Sequence, residues 1–226
     1  QTFMEVLEKT RAGCAATHVV WGAPGIGKTR VLEEIGNIAV LTGGRVFAQH
    51  AAPDDPQTPG LSLVRLLRVM MEAPGVLGIA PDVLALLRQL TAKAPGVESD
   101  QPLDLGDDVL VRAVVDLERA LAWEGLIVIV LDDLHHADAL SRRVLSRAQG
   151  CLTTERVLLL TGSIPQPAEG AMASVTMHQI GRLSEPATAS LAAAFLEKAD
   201  ATADVSTIDA LATAAGGPSV RPARGG

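Results

Sequence analysis

Residues Gly22–Thr29 read GAPGIGKT, which matches the glycine-rich pattern G-x-x-x-x-G-K-[ST] of phosphate-binding loops. The glycines let the backbone turn tightly and bring its N–H groups close to an anion, at the positive end of a following helix. The ammonium group of Lys28 can reach the β- and γ-phosphates of a nucleotide, and the hydroxyl group of Thr29 can bind Mg²⁺. The predicted nucleotide-binding residues of this stretch are Gly22, Ala23, Pro24, Gly25, Ile26, Gly27, Lys28, Thr29 and Arg30.

The sequence on either side of the loop favours a phosphate-binding site over a glycine-rich turn that contains a lysine by chance. The apolar segment 18–21, His-Val-Val-Trp, precedes the loop and predicts a strand. After the loop, apolar residues recur at helical spacing from Val31 to Ala39. A strand before the loop and a helix after it are the context in which this pattern binds phosphate.

The composition of the 226 residues indicates a globular domain with an aliphatic core, because 48% of the chain is apolar but only 2% is aromatic. The formal net charge of −7 disfavours a nucleic-acid-binding surface. The longest apolar run, residues 126–131, is too short to cross a bilayer, and no signal-peptide pattern opens the chain. We therefore expect a cytoplasmic protein without membrane contact, in which Cys14 and Cys151 are reduced thiols.

Five apolar segments predict the strands of one sheet. Helical patterns separate these segments, which indicates parallel β-α-β units. We therefore predict an α/β fold of the P-loop NTPase type, a three-layer sandwich around a parallel five-stranded sheet. The predicted strands are residues 18–21, 45–48, 126–131, 156–161 and 174–180.

The predicted domain organisation is a P-loop core over residues 1–183 followed by the start of a small helical lid subdomain over residues 184–226. A helical insertion at about residues 59–122 separates the second and third strands. No initiator methionine opens the chain, and Arg221–Gly226 ends it without a structural stop. We therefore expect a segment of a longer protein, with the lid truncated.

Asp132 and Asp133 directly follow the apolar strand 126–131. A phosphate-binding loop needs a carboxylate that holds the metal at the end of a neighbouring strand. We predict that Asp132 binds Mg²⁺ together with Thr29, directly or through water, and that Asp133 polarises the attacking water as a general base. Paired carboxylates also occur as helix caps, but the phosphate-binding loop in the same chain favours the catalytic interpretation.

Other polar residues follow the later strands. Thr161 ends the strand 156–161 and is predicted to contact the γ-phosphate and the lytic water; the alternative is an ordinary strand-ending threonine. His135 and His136 with Asp138 could form a zinc site. Neighbouring side chains diverge, however, and no further ligand stands at helical spacing, so we favour a structural or phosphate-proximal role.

Three blocks together resemble a known family. They are the loop at Gly22–Thr29, the block LDDLHHAD at Leu131–Asp138 and the block AGGP at Ala215–Pro218. They are similar to the nucleotide-binding domain of the STAND class of AAA+-like ATPases. Within that class they most resemble the ATPase module of large LuxR-type bacterial transcriptional regulators and of related cyclase-linked sensors. The resemblance spans nearly the whole chain.

The resemblance implies ATP or ADP and Mg²⁺ as ligands, and it places Pro218 against the adenine in the helical subdomain. Lys28, Asp133 and Thr161 would form the catalytic set, with Thr29 and Asp132 on the metal. The chain departs from the family pattern where His136 replaces a tryptophan and Ser163 an arginine. A glycine-arginine-glutamate motif ahead of the first strand is also missing, which affects the adenine contacts.

The implied function is an ATP-binding, slowly ATP-hydrolysing signalling switch within a larger LuxR-type transcriptional regulator. ATP would favour self-association, and DNA would be contacted only through a domain outside this segment. The alternative is a non-catalytic scaffold that holds ATP or ADP as a structural ligand, which the loss of arginine at Ser163 favours. Arg142, Arg143 and Arg147 could supply an arginine finger to another subunit, although a solvated helix face is the favoured interpretation.

Overall fold

The computed structural model describes residues 3–92, 105–164 and 175–181. Five strands form a single sheet in the order β2-β3-β4-β1-β5, and all four neighbouring pairs are parallel. The strands are β1 (Ala16–Trp21), β2 (Arg45–His50), β3 (Ile127–Asp132), β4 (Val157–Ser163) and β5 (Val175–Gln179).

Helices cover both faces of this sheet. The described α-helices are α1 (Phe3–Arg11), α2 (Lys28–Leu41), α3 (Leu61–Met71), α4 (Pro81–Thr91), α5 (Asp107–Glu124) and α6 (Ala139–Gly150). Buried residues of α1 and α2 pack with Val128, Val130, Leu158 and Leu160 on one face. Buried residues of α3 to α6 pack with the alternate strand residues, among them Ile129 and Leu159, on the other face. This arrangement confirms the predicted α/β sandwich.

The central strands owe their position to their composition. Every residue of β3 is buried, as a parallel strand that is covered on both faces requires. Because side chains alternate along a strand, Val128 and Val130 face α2, and so does the side chain of Asp132 at the end of the strand. The sheet therefore presents its acid on the same face as the helix that follows the glycine-rich loop.

All five predicted strands are present, with shifted ends. Asp132 belongs to β3, and β2 continues two residues beyond the predicted limit to His50. The helix α1 was not predicted, because only Val6, Leu7 and Thr10 are buried within its nine residues and so short a pattern is weak.

Helices α3 and α4 lie within the predicted helical insertion, and α5 begins within it and ends two residues beyond its predicted limit. The compact unit that contains the sheet extends to Ile180. The second unit, residues 181–226, lies almost wholly outside the described residues, so the boundary at residue 183 and the helical lid remain predictions. Within the described ranges, no helix has both the length and the apolar character that crossing a bilayer requires.

Candidate functional site

The glycine-rich loop leaves β1 at Trp21 and enters α2 at Lys28. Gly25 and Gly27 have φ angles of 73° and 104°, in the left-handed region that only glycine adopts at low cost. At Gly22 a Cβ atom would lie 2.8 Å from the carbonyl oxygen of Ile180, so a side chain has no room there. The three glycines are therefore required by the conformation and packing of the loop.

The first turn of α2 provides backbone donors for an anion. The N–H group of Val31 donates to the carbonyl of Gly27 at 3.1 Å. The amides of Lys28, Thr29 and Arg30 precede this bond and have no intrahelical acceptor, as at any helix start. They lie at the positive end of the helix dipole, where a phosphate group is stabilised.

The side chain of Arg30 is directed along its own helix. Its guanidinium group pairs with Glu34 at 2.5 Å and with Glu33 at 3.8 Å, and the side chain is largely exposed. The predicted contribution of Arg30 to nucleotide binding would therefore come from its backbone amide.

The ammonium group of Lys28 lies inside the loop. Lys28 is buried, and its Nζ donates to the carbonyl oxygens of Gly22 and Ala23 at 3.2 and 3.0 Å. An ammonium group has three protons, so these two bonds leave one donor for a further acceptor. The loop therefore holds its positive charge where the backbone amides of α2 begin.

Thr29 and Asp132 are 103 residues apart in sequence but in direct contact. The hydroxyl group of Thr29 donates to Asp132 Oδ2 at 2.5 Å, and the N–H group of Asp133 donates to Asp132 Oδ1 at 2.9 Å. Asp132 is buried. The structure therefore brings together the two residues that were predicted to bind the metal.

Gly162 gives the carboxylate of Asp132 its space. A Cβ atom at Gly162 would lie 2.3 Å from Asp132 Oδ1 and 3.0 Å from Leu32 Cδ1. The sequence does not indicate a role for this residue, because the close approach of β4 to the Asp132 side chain depends on the pairing of β3 with β4. A glycine at the end of an apolar strand was the available signal.

Asp133 has an unusual backbone. Its φ angle is 50°, and within the described ranges no other non-glycine residue has a positive φ. Asp and Asn tolerate this conformation better than most residues, and it turns the chain sharply after β3. The side chain is partly exposed beside the buried Asp132.

His50 approaches both carboxylates from the end of β2. His50 and Asp132 are paired in register, and His50 Nδ1 lies 3.7 Å from Asp132 Oδ2 while Nε2 lies 3.5 Å from Asp133 Oδ2. In the sequence His50 is an isolated histidine, which favours a packed or surface residue, and the predicted strand stops at residue 48. Its position becomes apparent only when β2 is known to extend to residue 50 and to pair with β3.

The residues around Asp132 fit a magnesium ion. Within the described ranges, one group of potential metal ligands converges: single ligand atoms of His50, Asp132 and Asp133 lie within 4.8 Å of one another. Mg²⁺ prefers oxygen ligands, usually one or two carboxylates together with phosphate oxygens and water. Asp132 and the hydroxyl of Thr29 provide such oxygens beside the phosphate-binding loop, whereas the imidazole of His50 is a less suitable ligand.

Two buried polar atoms near the end of the sheet have no hydrogen-bond partner within the described part of the chain, namely Thr161 Oγ1 and His135 Nδ1. Burial, followed by the charge of His136, lowers the pKa of His135, so its ring is neutral at pH 7. Thr161 lies inside β4, with Gly162 and Ser163 after it. By strand alternation its side chain faces away from the Asp132 side of the sheet.

The block His135, His136 and Asp138 does not form a metal site. The carboxylate of Asp138 is buried and accepts four hydrogen bonds, from the N–H groups of Gly60, Ser62 and Ser141 and from the hydroxyl of Ser141. Asp138 caps α6 and connects it to the start of α3. This supports the structural interpretation that the sequence favoured for Asp138 over zinc binding.

The arginines of α6 are engaged within the chain or exposed. Arg143 pairs with Asp107 at 3.1 Å, and Arg147 pairs with Asp108. Arg142 is exposed. Arg143 and Arg147 therefore form surface ion pairs between α6 and the start of α5. Ser163 donates to the carbonyl of Ile164, and Pro218 lies outside the described residues.

A parallel sheet with a phosphate-binding loop after β1 and an acid at the end of the distant strand β3 defines a P-loop NTPase. The family model that describes the AAA ATPase domain matches residues 1–160. The chain therefore belongs to the AAA ATPase domain family and is a nucleotide-binding domain. No curated protein matches the chain closely enough to establish a relationship.

Solved structures share this fold at low sequence identity. A DNA replication initiation factor is 14% identical, with 92% of this chain and 52% of that chain covered and a TM-score of 0.52. Drosophila ORC bound to DNA is 13% identical, with 86% of this chain and 46% of that chain covered and a TM-score of 0.51. A Walker-type ATPase of Pyrococcus abyssi is 10% identical, with 93% of this chain and 60% of that chain covered and a TM-score of 0.51. The chain thus spans about half the length of the structures that it matches, and the likeness concerns the fold alone.

Proposed function

We propose that this domain binds ATP together with Mg²⁺ and hydrolyses it slowly. The contact between Thr29 and Asp132, beside the ammonium group of Lys28, is the observation that carries the proposal. A hydroxyl group, a buried carboxylate and an ammonium group therefore lie together at one edge of the sheet, which supports the binding of a phosphate with its metal ion. A bound Mg²⁺ ion would neutralise charge on the phosphates and orient them.

In this proposal the loop from Gly22 to Gly27, with Lys28, Thr29 and the amide of Arg30, binds and orients the phosphate groups. Lys28 turns its remaining proton toward the β- and γ-phosphate oxygens, and Asp132 holds its carboxylate ready for the metal. Pro218 would contact the adenine, an assignment that rests on the resemblance to STAND-class ATPases. Thr161 is proposed as a γ-phosphate contact because it lies near the carboxyl end of β4, but its side chain is on the sheet face opposite the Asp132 side chain, so this contact would need another route than the Asp132 face.

Asp133 is proposed as the general base. As water attacks the γ-phosphorus and the bond to the β–γ bridging oxygen breaks, its carboxylate would accept a proton from that water. Its oxygens are 3.5 Å from His50 Nε2 and 3.9 Å from His135 Nδ1, which is too far for strong hydrogen bonds. The carboxylate therefore retains lone pairs for the proton, and the left-handed backbone at this residue fixes its direction.

Single-turnover phosphate release tests this mechanism. We expect Asp133→Asn to retain binding of magnesium-loaded ATP, because asparagine also tolerates a positive φ, and to lose hydrolysis by a factor on the order of 100 to 10,000. Lys28→Ala should lose binding itself. Wild-type release no faster than that of Lys28→Ala, with ATP binding intact, would remove the enzymatic proposal.

That last outcome would favour a non-catalytic nucleotide-binding scaffold instead. Ser163 supports this alternative, since it occupies the position where the resembled proteins often carry an arginine for the γ-phosphate. In such a scaffold, wild type and Asp133→Asn would bind ATP and ADP with similar affinity and gain similar thermal stability from either nucleotide.

We further propose that this domain is the cytoplasmic switch module of a larger LuxR-type transcriptional regulator. The block at Leu131–Asp138 supports this role through its resemblance to that family. Sedimentation in ATP, in ADP and without nucleotide tests the switch, because assembly should require ATP and fail in Lys28→Ala. The complete reading frame tests the regulator role, since it should encode a helix-turn-helix domain.

A further inference from the structure

A second feature lies at the opposite end of the sheet from the phosphate-binding loop. An open groove of about 890 Å³ runs between the end of α5 and the segment 75–80 that precedes α4. Its apolar lining includes Leu77, Ile79, Ala120 and Trp123, and its charged lining is Asp116, Arg119 and Glu124. We refer to these residues as the α5 groove.

The α5 groove is separate from the nucleotide site. Helix α5 ends at Glu124, and the chain enters β3 at Ile127, so the groove lies at the amino end of that strand. Asp132 stands at the other end of β3. Six residues of extended strand span about 20 Å, so the groove does not contribute to nucleotide binding.

The apolar side chains of the groove are unusually exposed. Trp123 is 87% exposed and Leu77 is 82% exposed, whereas Ile79 is buried and forms part of the floor. A site for a small molecule encloses most of its ligand. A groove whose two largest apolar side chains stand out into solvent instead suits a macromolecule that covers them, and exposed tryptophan is the residue type most enriched among binding hot spots.

The charge of the groove indicates the chemistry of its occupant. Arg119, the cation in its lining, already donates to Glu155 at 2.8 Å and to the carbonyl of Cys151 at 3.2 Å. Asp116 lies 3.7 Å from Arg112, too far for a hydrogen bond, and Glu124 pairs with Arg45 through only one oxygen. The groove therefore retains carboxylate oxygens as acceptors.

The carboxyl end of α5 adds partial negative charge, which Arg45 reduces because its guanidinium group donates to the carbonyl of Leu121 and pairs with Glu124. Helix α5 has 18 residues and carries no basic residue in its last turn, and its carboxyl end lies at the groove. That end has partial negative charge. An occupant with lysine or arginine beside an apolar surface therefore complements the groove in both charge and hydropathy.

We propose that the α5 groove docks an amphipathic helix with basic residues along the edges of its apolar face. The groove is lined by helical and turn segments rather than by a strand edge, so the occupant has no strand edge there to extend as a β-strand. A helix with apolar side chains at every third or fourth position inserts into such a groove and covers Trp123 and Leu77. Its lysine or arginine side chains then reach Asp116 and Glu124.

A synthetic helix tests the proposal directly. The probe is a labelled leucine–lysine peptide of about 18 residues, or five helical turns, with leucine on one face. Its control is the same composition in an order that has no apolar face. Fluorescence anisotropy should detect binding of the amphipathic peptide at least about tenfold tighter than that of the control, because charge is equal and only the apolar face differs.

Variants locate the binding. Trp123→Ala and Leu77→Ser should each weaken binding about tenfold or more, and Asp116→Lys should weaken it as well. Leu41→Ser is the matched control, because Leu41 is 85% exposed at the end of α2 but lies outside the groove lining. All four side chains can change without loss of the core, and unchanged melting temperatures would verify this.

Each contrary outcome overturns the proposal. Equal binding of the two peptides, or equal weakening by Leu41→Ser and Leu77→Ser, would reveal a general attraction of lysine to an acidic protein. Binding of phosphatidylcholine–phosphatidylserine vesicles that depends on Trp123, without binding of the amphipathic peptide, would identify a membrane-contacting surface instead. Tighter binding of a leucine–glutamate peptide than of the leucine–lysine peptide would contradict the assigned charge.

Discussion

Gly162 illustrates how a single hydrogen atom in place of a side chain supports the nucleotide site. The carboxylate of Asp132 fills the space that a Cβ atom of residue 162 would need. The same carboxylate accepts the hydroxyl of Thr29, so a displacement of Asp132 would also disturb the start of α2. A change at Gly162 therefore acts on the site through Asp132 without touching the ligand.

We predict that Gly162→Ala weakens binding of magnesium-loaded nucleotide on the order of 100-fold, because the metal-binding carboxylate must move by about an ångström. Overpacking should cost about 2 kcal/mol of stability as well. Isothermal calorimetry with and without Mg²⁺ measures the first effect. Gly150→Ala is the control, since a Cβ atom there meets open space; equal affinities for the two variants would contradict the prediction.

At the residue scale, the sequence identified the parts of the site that are written in continuous motifs. The loop at residues 22–29 is local, so its residue types and their spacing are sufficient to recognise it. His50 and Gly162 belong to no continuous motif, because each enters the site through the pairing of β3 with a neighbouring strand. Thr161 could be located on its strand, but the face to which it points depends on the register.

At the scale of elements, Asp138 connects two helices that are far apart in sequence. It caps α6 and also receives the backbone donors of Gly60 and Ser62 at the start of α3. Asp55 extends this network, because it accepts from the hydroxyl of Ser62 and pairs with Arg65. The helix after β3 and the segment after β2 are therefore fixed to each other.

We predict that Asp138→Ala destabilises the fold by about 3 kcal/mol, because it removes a helix cap and leaves buried N–H groups without acceptors. Urea unfolding followed by circular dichroism measures the change. Asp108→Ala serves as the control, since this aspartate forms an exposed pair with Arg147 and should contribute little. A loss no larger than that of the control would show that the network is dispensable.

The elements themselves were predictable to different degrees. The helices α2 to α5 have long apolar stripes, and β3 is uniformly apolar, so periodicity alone indicates them. The helix α1 is short and its burial depends on the sheet that it covers, so periodicity does not indicate it. The connection of α6 to α3 through Asp138 could not be predicted, because a capping residue does not specify which other segment will contact it.

For the molecule as a whole, two buried groups make stability depend on pH in opposite directions. Burial raises the pKa of Glu118 from 4.5 to about 8. Burial, followed by the charge of His178, lowers the pKa of His18 from 6.5 to about 4. The fold favours protonated Glu118, so the contribution of Glu118 to the free energy of unfolding is lost as pH rises toward 8. The fold favours neutral His18, so the contribution of His18 is lost as pH falls toward 4.

We predict that Glu118→Gln is more stable than wild type near pH 8. The difference in free energy of unfolding between the two proteins should shrink by up to about 1.4 kcal/mol per pH unit as the pH is lowered to about 5. Between the two ordinary pKa values, 4.5 and 6.5, the contributions of Glu118 and His18 compensate in the wild type. Removing the carboxylate should therefore expose a rise of stability with pH in that range. Urea unfolding at several pH values measures both effects, with the exposed Glu33→Gln as control; a difference independent of pH would refute the prediction.

The two tryptophans also have a practical consequence. Trp21 is the last residue of β1, directly before the glycine-rich loop, whereas Trp123 lies near the end of α5 at the opposite edge of the sheet. The chain has no tyrosine, so these two indole rings account for nearly all of its ultraviolet emission. With either ring replaced by phenylalanine, the emission spectrum becomes a single-site optical probe, one adjoining the phosphate loop and the other reporting on solvent access at the far end of the same domain.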